Sequence, residues 1–171
     1  MKIKLIVSDV DGVWTDGSFY YSKEGDSIRK FTTKDSYGVS LCRLMKIPVL
    51  ILSTEKNPMV KQRMKKLKVK HVQLGIGNKY NYLLKFCKKY DMELSEVAYV
   101  GDDMNDYHLL GKIGIFGCPA DAYPKIKNKA DLVLTTKGGN GVFREFVERL
   151  LEQEGLLEGA YKKYVEQCLK E

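Results

Sequence analysis

The sequence predicts an α/β fold with a doubly wound, mostly parallel sheet. Strand-like apolar runs alternate with helical patterns along the whole chain, as they do in proteins built from βαβ units. These runs are rich in β-branched residues and lack polar alternation, which indicates strands that are covered on both faces. Several of them end abruptly in polar residues. We therefore expect one domain over residues 1–171, with its function at the carboxyl ends of the strands.

The first strand leads directly into two acids. It covers residues 3–7 and delivers Asp9 and Asp11 to the edge of the sheet. Two aromatic, β-rich runs follow, separated by a Lys-Glu-Gly turn, so a β-hairpin is predicted at about 18–31. This hairpin is expected to project from the acidic site, with no cap domain elsewhere in the chain.

Strands and helices then alternate to the end of the chain. The further strands are predicted at 48–54, 69–74, 97–100, 114–116 and 131–134. Helices are predicted at 33–46, from 57 onward, at 79–90, after 106, at 120–129 and at 141–154. Asp35 or Ser36 is a candidate N-cap of the first helix, and Pro58 suits the first turn of the second.

The last segment, about 155–171, is an amphipathic helix, because its apolar residues recur at helical spacing. Two placements are open for it. It packs on its own domain, or it packs on a neighbouring subunit, since terminal segments become ordered only where something ties them down.

The composition is that of a soluble globular protein, with 44% hydrophobic and 30% charged residues. No stretch approaches the roughly 20 apolar residues of a membrane span, and no signal-peptide pattern begins the chain. A cytoplasmic protein without a membrane partner is expected. The four cysteines lie far apart, which indicates reduced thiols and neither a zinc site nor a disulfide framework.

The 29 basic and 22 acidic residues give a net charge of +7. The lysines are spread through helical segments without a nucleic-acid motif, so solvated helix faces are expected and nucleic acid is not. A positive field still attracts a phosphorylated, carboxylated small molecule.

Groups used in phosphoryl transfer follow four of the predicted strands. They are Asp9 with Asp11, then Ser53, then Lys79, and finally Asp102 with its acidic neighbours. Each alone has a plainer explanation, such as an Asp-Gly turn, a helix cap or a surface lysine. Because parallel strands end at one edge of the sheet, all four are expected to meet there.

The set suits hydrolysis of a phosphomonoester. Asp9 would be the nucleophile and form an aspartyl-phosphate, and Asp11 would protonate the leaving alkoxide and later activate water. Mg²⁺ would be held by Asp9, by the backbone carbonyl of Asp11 or of its neighbour, and by Asp102, which offsets the repulsion among acids and phosphate. Ser53 and Lys79 would bind the phosphoryl oxygens, and the lysine would also keep Asp9 ionised.

These residues resemble, in order, the four motifs of the haloacid dehalogenase superfamily of phosphatases. The matching segments are Asp9-Val10-Asp11-Gly12-Val13, Ser53, Lys79 and Gly101-Asp102-Asp103-Met104-Asn105-Asp106. The resemblance spans essentially the whole chain. It implies a Rossmann-like core and a Mg²⁺-dependent phosphatase.

Two further segments resemble the small branch of that superfamily that has no cap domain. They are the Asp-Gly-Val-Trp-Thr-Asp-Gly run before the hairpin and the Gly-Gly-Asn-Gly-Val-Phe-Arg-Glu run at 138–145. This branch includes phosphatases of 3-deoxy-D-manno-octulosonate 8-phosphate (KDO-8-phosphate) and of the nine-carbon KDN-9-phosphate. The resemblance implies a homotetramer in which hairpins associate and a neighbour completes each active site.

The residues after the second strand depart from the octulosonate pattern. That group tends to carry Thr-Gly-Arg or Thr-Gly-Lys, whereas this chain has Ser53-Thr54-Glu55-Lys56. Glu55, Arg63 and Lys66 resemble the KDN-9-phosphate enzyme, where the matching residues face the sugar acid bound by the adjacent protomer. Two cations suit a carboxylate and Glu55 suits hydroxyls or an amine, although a plain surface cluster is the alternative. Further substrate-binding candidates by the resemblance are Thr33, Asp35, Ser36 and Asn105.

KDN-9-phosphate or a sialic-acid-like 9-phosphate is therefore expected ahead of KDO-8-phosphate. Two alternatives come from other classes, a phospho-receiver domain and a non-catalytic oligomerisation domain. A receiver gains nothing from an acid/base at Asp11 and lacks the aromatic hairpin. The four intact motifs predict turnover, which an oligomerisation domain would not show.

Overall fold

The computed structural model describes residues 3–169 and contains a six-stranded sheet with helices on both faces. The strand order is β5-β4-β1-β6-β7-β8, and every neighbouring pair is parallel. These strands are β1 Leu5–Ser8, β4 Val49–Ser53, β5 His71–Leu74, β6 Val97–Val100, β7 Ile115–Cys118 and β8 Leu132–Val133. The predicted doubly wound parallel sheet is confirmed.

Among the described residues, a hairpin and six α-helices accompany this sheet. The hairpin strands β2 Tyr20–Ser22 and β3 Gly25–Ile28 pair antiparallel as a separate sheet. The helices are α1 Lys34–Leu44, α2 Pro58–Lys66, α3 Lys79–Lys89, α4 Pro124–Lys127, α5 Val142–Gln153 and α6 Leu157–Cys168.

The central strand β1 explains the unbroken apolar run at its position in the sequence. Leu5 and Val7 point into a core formed with α3, whereas Ile6 points into a second core formed with α1, α5 and α6. All three side chains are fully buried. Both faces of the sheet are therefore covered, and the polar alternation of a half-exposed strand is absent.

The position of β1 also sets the position of the functional edge. Its two neighbours are β4 on one side and β6 on the other. The chain therefore builds the sheet outward from β1 first in one direction, through β4 and β5, and then in the other, through β6, β7 and β8. A crevice opens outside the carboxyl ends of strands at such a switch point. The residues that follow β1, β4 and β6 thus come together.

Local capping confirms one predicted helix start and corrects another. Asn57 caps α2 by accepting hydrogen bonds from the amides of Met59 and Val60, and Pro58 occupies the first turn. At α1 the N-cap is Thr33, which makes no side-chain cap, so the expectation of Asp35 or Ser36 was wrong. The Asp35 carboxylate instead accepts a hydrogen bond from the amide of Arg144 at the start of α5.

Two predicted helices are shorter than expected. After Asp106 there is only a 3-10 helix at Tyr107–Leu109, and Gly111 then takes a φ of 71°, which ends the helical path. The helix predicted at 120–129 shrinks to α4, because Tyr123 is extended before Pro124, as residues before proline usually are.

The carboxyl-terminal helix packs on its own chain. Ala160 is fully buried, the Tyr161 hydroxyl donates a hydrogen bond to Glu148 of α5, and the Tyr164 ring lies 4.5 Å from the Tyr37 ring of α1. The structure thus places α6 against α1 and α5, whereas residues 170–171 of the predicted helix lie outside the described residues.

The cysteines of the described chain are free thiols, three of them buried and Cys168 exposed. Within residues 3–169, no helix combines the length and the apolar character that crossing a membrane requires.

Candidate active site

The predicted strand-end groups meet in a cleft of about 390 Å³ outside β1, β4 and β6. Its lining consists of Asp9, Asp11, Gly12, Gly17, Phe19, Ser53, Thr54, Glu55, Asp102, Asp103, Met104 and Asn105. Lys79 lies directly behind Asp9, with its ammonium 2.7 Å from Asp9 Oδ2. Groups far apart in sequence therefore share one site.

Asp9 is held by three donors. Its Oδ1 accepts from the amide of Val10 at 2.7 Å, and its Oδ2 accepts from Asn105 Nδ2 at 3.1 Å and from Lys79. The side chain is nearly buried yet lines the cleft. Such a carboxylate is pre-oriented towards a ligand and keeps little rotational freedom.

Asp11 has partners from two elements. Its Oδ1 accepts hydrogen bonds from Arg29 at the end of the hairpin and from Thr15 Oγ1. The Arg29 guanidinium also stacks 4.0 Å from the centre of the Phe19 ring. The hairpin thereby brings the Arg29 guanidinium, with the Phe19 ring stacked on it, to the Asp11 carboxylate.

The hydroxyl groups after β4 lie beside these acids. Ser53 Oγ accepts a hydrogen bond from the amide of Glu55 at 3.2 Å, and Asn105 Nδ2 donates to Thr54 Oγ1 at 3.3 Å. Ser53 is almost completely buried at the floor, whereas Glu55 is exposed at the rim. The floor of the cleft therefore offers the Ser53 hydroxyl group, and its rim offers the Glu55 carboxylate.

Asp9, Asp102 and Asp106 form a compact acidic cluster, each with one carboxylate oxygen within 4.8 Å of the others. Burial, and then the negative charge of Asp9, raises the pKa of Asp102 to about 8. The same causes raise the pKa of Asp106 to about 7. Buried carboxylates that repel one another in this way fit a divalent cation with hard oxygen ligands.

The glycine-rich segment at 138–141 supports the loop that carries Asp11. The amide of Gly139 donates to the carbonyl of Val13, and the amide of Gly138 donates to Asp121 Oδ1. A Cβ on Gly12 would lie 2.0 Å from Asp102 Oδ2, so this loop touches the acidic cluster directly.

The predicted substrate-binding residues divide into two groups. Glu55 and Asn105 line the cleft, whereas Thr33, Asp35, Ser36, Arg63 and Lys66 are outside its lining. Arg63 Nη2 donates to the Thr32 carbonyl and to Ser36 Oγ, which ties α2 to the start of α1. Thr33 and Lys66 are exposed, and Asp35 is fully buried.

Three residues near the site were missed by sequence reasoning. Tyr99 lies within β6, where its neighbours mark it simply as a core residue, and its hydroxyl contacts both Lys79 and Asp106. Arg29 and Phe19 belong to the hairpin, and no local pattern separates Arg29 from the many other surface-type cations. The positions of Arg29 and Phe19 relative to Asp11 depend on how the hairpin folds back towards the end of β1, which is a tertiary contact.

Comparison with known proteins gives a consistent picture. A family model described as haloacid dehalogenase-like hydrolase matches residues 53–146. The 3-deoxy-D-manno-octulosonate 8-phosphate phosphatase of Escherichia coli is 34% identical over 159 residues, which are 93% of this chain and 85% of that protein.

Two solved structures of similar proteins contain metals. The 3-deoxy-D-manno-octulosonate 8-phosphate phosphatase of Moraxella catarrhalis, in complex with magnesium, phosphate and KDO, is 29% identical, with a TM-score of 0.90 over 95% of this chain and 94% of that one. The cobalt-bound phosphatase of Haemophilus influenzae is 33% identical, with a TM-score of 0.86 over 91% of each chain.

Proposed function

The chain belongs to the haloacid dehalogenase-like hydrolases, and from this premise we propose that it is a Mg²⁺-dependent phosphatase of a 2-keto-3-deoxy sugar-acid phosphate. The observation that carries the proposal is the meeting of Asp9, Asp11, Ser53 and Asp102 in one cleft, with Lys79 behind Asp9. This set contains a nucleophile, an acid/base group, a hydroxyl donor and a cation site.

The donor atoms fit Mg²⁺. The carboxylates of Asp9 and Asp102 and the backbone carbonyl at Asp11 are hard oxygen ligands. Burial, and then the negative charge of Asp9, raises the pKa of Asp102, and a cation would offset that charge. When bound, the ion offsets the repulsion between acids and phosphate and polarises a phosphoryl oxygen. The magnesium and cobalt structures of the relatives support the assignment.

In the first half-reaction an Asp9 carboxylate oxygen attacks the phosphorus. The bond between phosphorus and the sugar oxygen breaks, and Asp11 gives its proton to the departing alkoxide. Asn105 and Lys79 fix the Asp9 carboxylate for an in-line approach. The sugar acid leaves as an alcohol, and the phosphoryl group stays on Asp9.

In the second half-reaction water attacks the aspartyl-phosphate. Asp11, now ionised, takes a proton from that water as the new P–O bond forms and the bond to Asp9 breaks. Inorganic phosphate leaves, Asp9 is restored as a carboxylate and Asp11 is protonated again. Ser53 at the floor is placed to donate a hydrogen bond to a phosphoryl oxygen.

A nine-carbon substrate, KDN-9-phosphate or a sialic-acid-like 9-phosphate, is the preferred candidate. Glu55 lines the cleft, where it can accept hydrogen bonds from hydroxyls or an amine of the sugar acid. KDO-8-phosphate is the second candidate, and the names of the similar phosphatases favour it.

The homotetramer belongs to the same proposal. Tyr21 and Ile28 of the hairpin expose 72% and 61% of their surface, which suits burial against another subunit. Arg63 and Lys66 are outside the lining of their own cleft, so a role on the substrate would require the cleft of a neighbour. This arrangement would give a chain without a cap domain a lid over its site.

The decisive experiment measures kcat/KM side by side on eight-carbon and nine-carbon keto-acid phosphates with Mg²⁺. We expect phosphate release from both, faster from the nine-carbon ester, and loss of activity with EDTA. A higher value on KDO-8-phosphate would select the second candidate. No release from any phosphate ester would refute the phosphatase assignment.

A further inference from the structure

A buried hydroxyl group directly precedes the nucleophile in the chain. Ser8 is the last residue of β1, and its side chain is fully buried. Its Oγ accepts a hydrogen bond from Trp14 Nε1 at 2.9 Å and donates one to the Asp9 carbonyl oxygen at 2.7 Å. Neither Ser8 nor Trp14 lines the cleft, so both can act on the reaction only through other residues.

The peptide unit between Asp9 and Val10 connects this hydroxyl group to the reacting carboxylate. Its carbonyl oxygen accepts from Ser8 Oγ, and its N–H group donates to Asp9 Oδ1 at 2.7 Å. The amide of Asp9 is fixed as well, because it donates to the Val100 carbonyl of β6 at 3.0 Å. A peptide unit is planar, so its C=O and N–H groups turn together. The hydrogen bond from Ser8 therefore also fixes the direction in which the amide meets Oδ1.

The Trp14 side chain that donates to Ser8 is itself held in place. Its ring is buried and stacks on Phe143 of α5, with 4.6 Å between ring centres and 26° between ring planes. Its backbone amide donates to the Val10 carbonyl at 2.8 Å. A buried indole N–H needs an acceptor, which Ser8 Oγ supplies, and the single hydroxyl proton of Ser8 is then directed at the Asp9 carbonyl.

We propose that Ser8 and Trp14 are positioning residues that align the Asp9 carboxylate for attack on phosphorus. Trp14 orients the Ser8 hydroxyl, Ser8 holds the peptide unit that follows Asp9, and the amide of that unit holds Oδ1. The inference rests on the proposed phosphatase function and deepens it. A small misplacement of a reacting group slows the chemical step, whereas binding of the phosphate group depends on other contacts.

The first test is Ser8→Ala, which removes the hydroxyl group from the end of the strand. We expect kcat/KM to fall about tenfold, the size of one lost buried hydrogen bond. The inhibition constant of inorganic phosphate should stay within about twofold, because no contact to the phosphate group is removed. Wild-type kcat/KM in folded Ser8→Ala would overturn the proposal, and so would a tenfold rise of the phosphate inhibition constant.

Trp14→Phe tests the order of the chain of hydrogen bonds. It removes the indole N–H and keeps an aromatic ring against Phe143, so kcat/KM should fall by about threefold, less than in Ser8→Ala. Because Trp14 acts through Ser8, the double variant should be no slower than Ser8→Ala alone. Losses that multiply in the double variant would show that the two residues act independently and would overturn this order. Trp14→Phe decides by itself if Ser8→Ala does not fold.

Two phosphate esters separate an effect on Asp9 from an effect on Asp11, because Trp14 also belongs to the loop that carries Asp11. The nitrophenolate of p-nitrophenyl phosphate departs without a proton, so a misplaced acid would slow only the sugar-acid ester. A misaligned nucleophile slows both. We expect the same fold loss of kcat/KM on p-nitrophenyl phosphate and on the better keto-acid phosphate. A loss confined to the sugar-acid ester would overturn the role at Asp9.

Val147→Ala is the stability control. Val147 is fully buried in the same core as Trp14 and lies outside the chain of hydrogen bonds. Its truncation should lower the urea midpoint and leave kcat/KM of the folded protein at the wild-type value. An equal loss of kcat/KM in Val147→Ala and Ser8→Ala would reduce the effect to destabilisation and overturn the proposal. Failure of the proposed function looks different, since the wild-type protein would then release no phosphate at all.

Discussion

Gly138 lies so close to Gly12 that a Cβ on Gly138 would be 2.4 Å from the Gly12 carbonyl oxygen. The two residues are far apart in sequence, and they stack the glycine-rich segment on the loop that follows β1. Gly12 in turn touches the Asp102 carboxylate. A change at Gly138 is thus transmitted to both the acid/base loop and the acidic cluster.

Gly138→Ala should therefore lower both stability and activity. The methyl group forces the two loops apart, at a cost of about 1–3 kcal/mol in the free energy of unfolding. Urea denaturation and phosphate release measure the two effects. Gly159→Ala is the matched control, because nothing lies within 4 Å of its Cβ position and alanine favours a helix. Equal stability and equal activity in the two variants would show that the contact between Gly138 and Gly12 supports neither property.

Asp9→Asn and Asp11→Asn should each abolish or nearly abolish turnover while the fold is kept. Asp9→Asn removes the nucleophile, and loss of a general acid/base at Asp11 should slow the reaction by a factor of about 10² to 10⁴. Phosphate release measures the effect, and circular dichroism checks the fold. Asp16→Asn, an exposed acid in the same loop, is the charge control. Normal turnover in either site variant would refute the assigned roles.

Mg²⁺ affinity should rise with pH up to about 8 and then level off. The pKa of Asp102 is raised to about 8, chiefly by burial and by the charge of Asp9, so its proton must leave before the metal binds. Below that pH the dissociation constant should fall by up to about tenfold per pH unit. Isothermal titration calorimetry with Mg²⁺ at pH 6 to 9 measures it. A constant Kd across that range would contradict the prediction.

Asp35 should make the protein less stable as pH rises from about 4 to 6. Burial raises its folded-state pKa to about 6, above the unfolded value near 3.9. In that window the unfolded chain loses the proton first, so deprotonation favours unfolding, and above pH 6 the full loss remains.

Asp35→Asn removes this titration. The free energy of unfolding of the variant, taken relative to that of wild type, should be higher at pH 8 than at pH 4. We expect the increase to be on the order of 1–3 kcal/mol in urea denaturation. A stability difference that is the same at both pH values would show that Asp35 does not titrate in this way.

Glu55→Ala should change the choice among sugar-acid phosphates. Removing a charged acceptor at the cleft rim should reduce the preference for a nine-carbon over an eight-carbon ester by about tenfold in kcat/KM. Glu152→Ala, on the solvent side of α5, is the control. An unchanged ranking of substrates would show that Glu55 takes no part in substrate recognition.

The sequence by itself determined the order of strands and helices, and with it the edge where the chemistry lies. Apolar runs and helical periodicity are local properties, and parallel strands must end at a common edge, so the proximity of Asp9, Ser53, Lys79 and Asp102 follows from the sequence. Two helices were predicted too long, because α4 begins only at Pro124 and because Gly111 follows the short 3-10 helix after Asp106 with a positive φ.

Only the tertiary structure decided which neighbours these groups have. The sequence around Tyr99 indicates a core residue, whereas in the fold its hydroxyl contacts Lys79. The sequence around Arg29 indicates a surface cation, whereas in the fold the hairpin brings it to Asp11. Asp35 reads as a helix cap until α5 supplies the amide of Arg144. Such contacts depend on distances between residues remote in sequence, which close packing sets and local patterns do not encode.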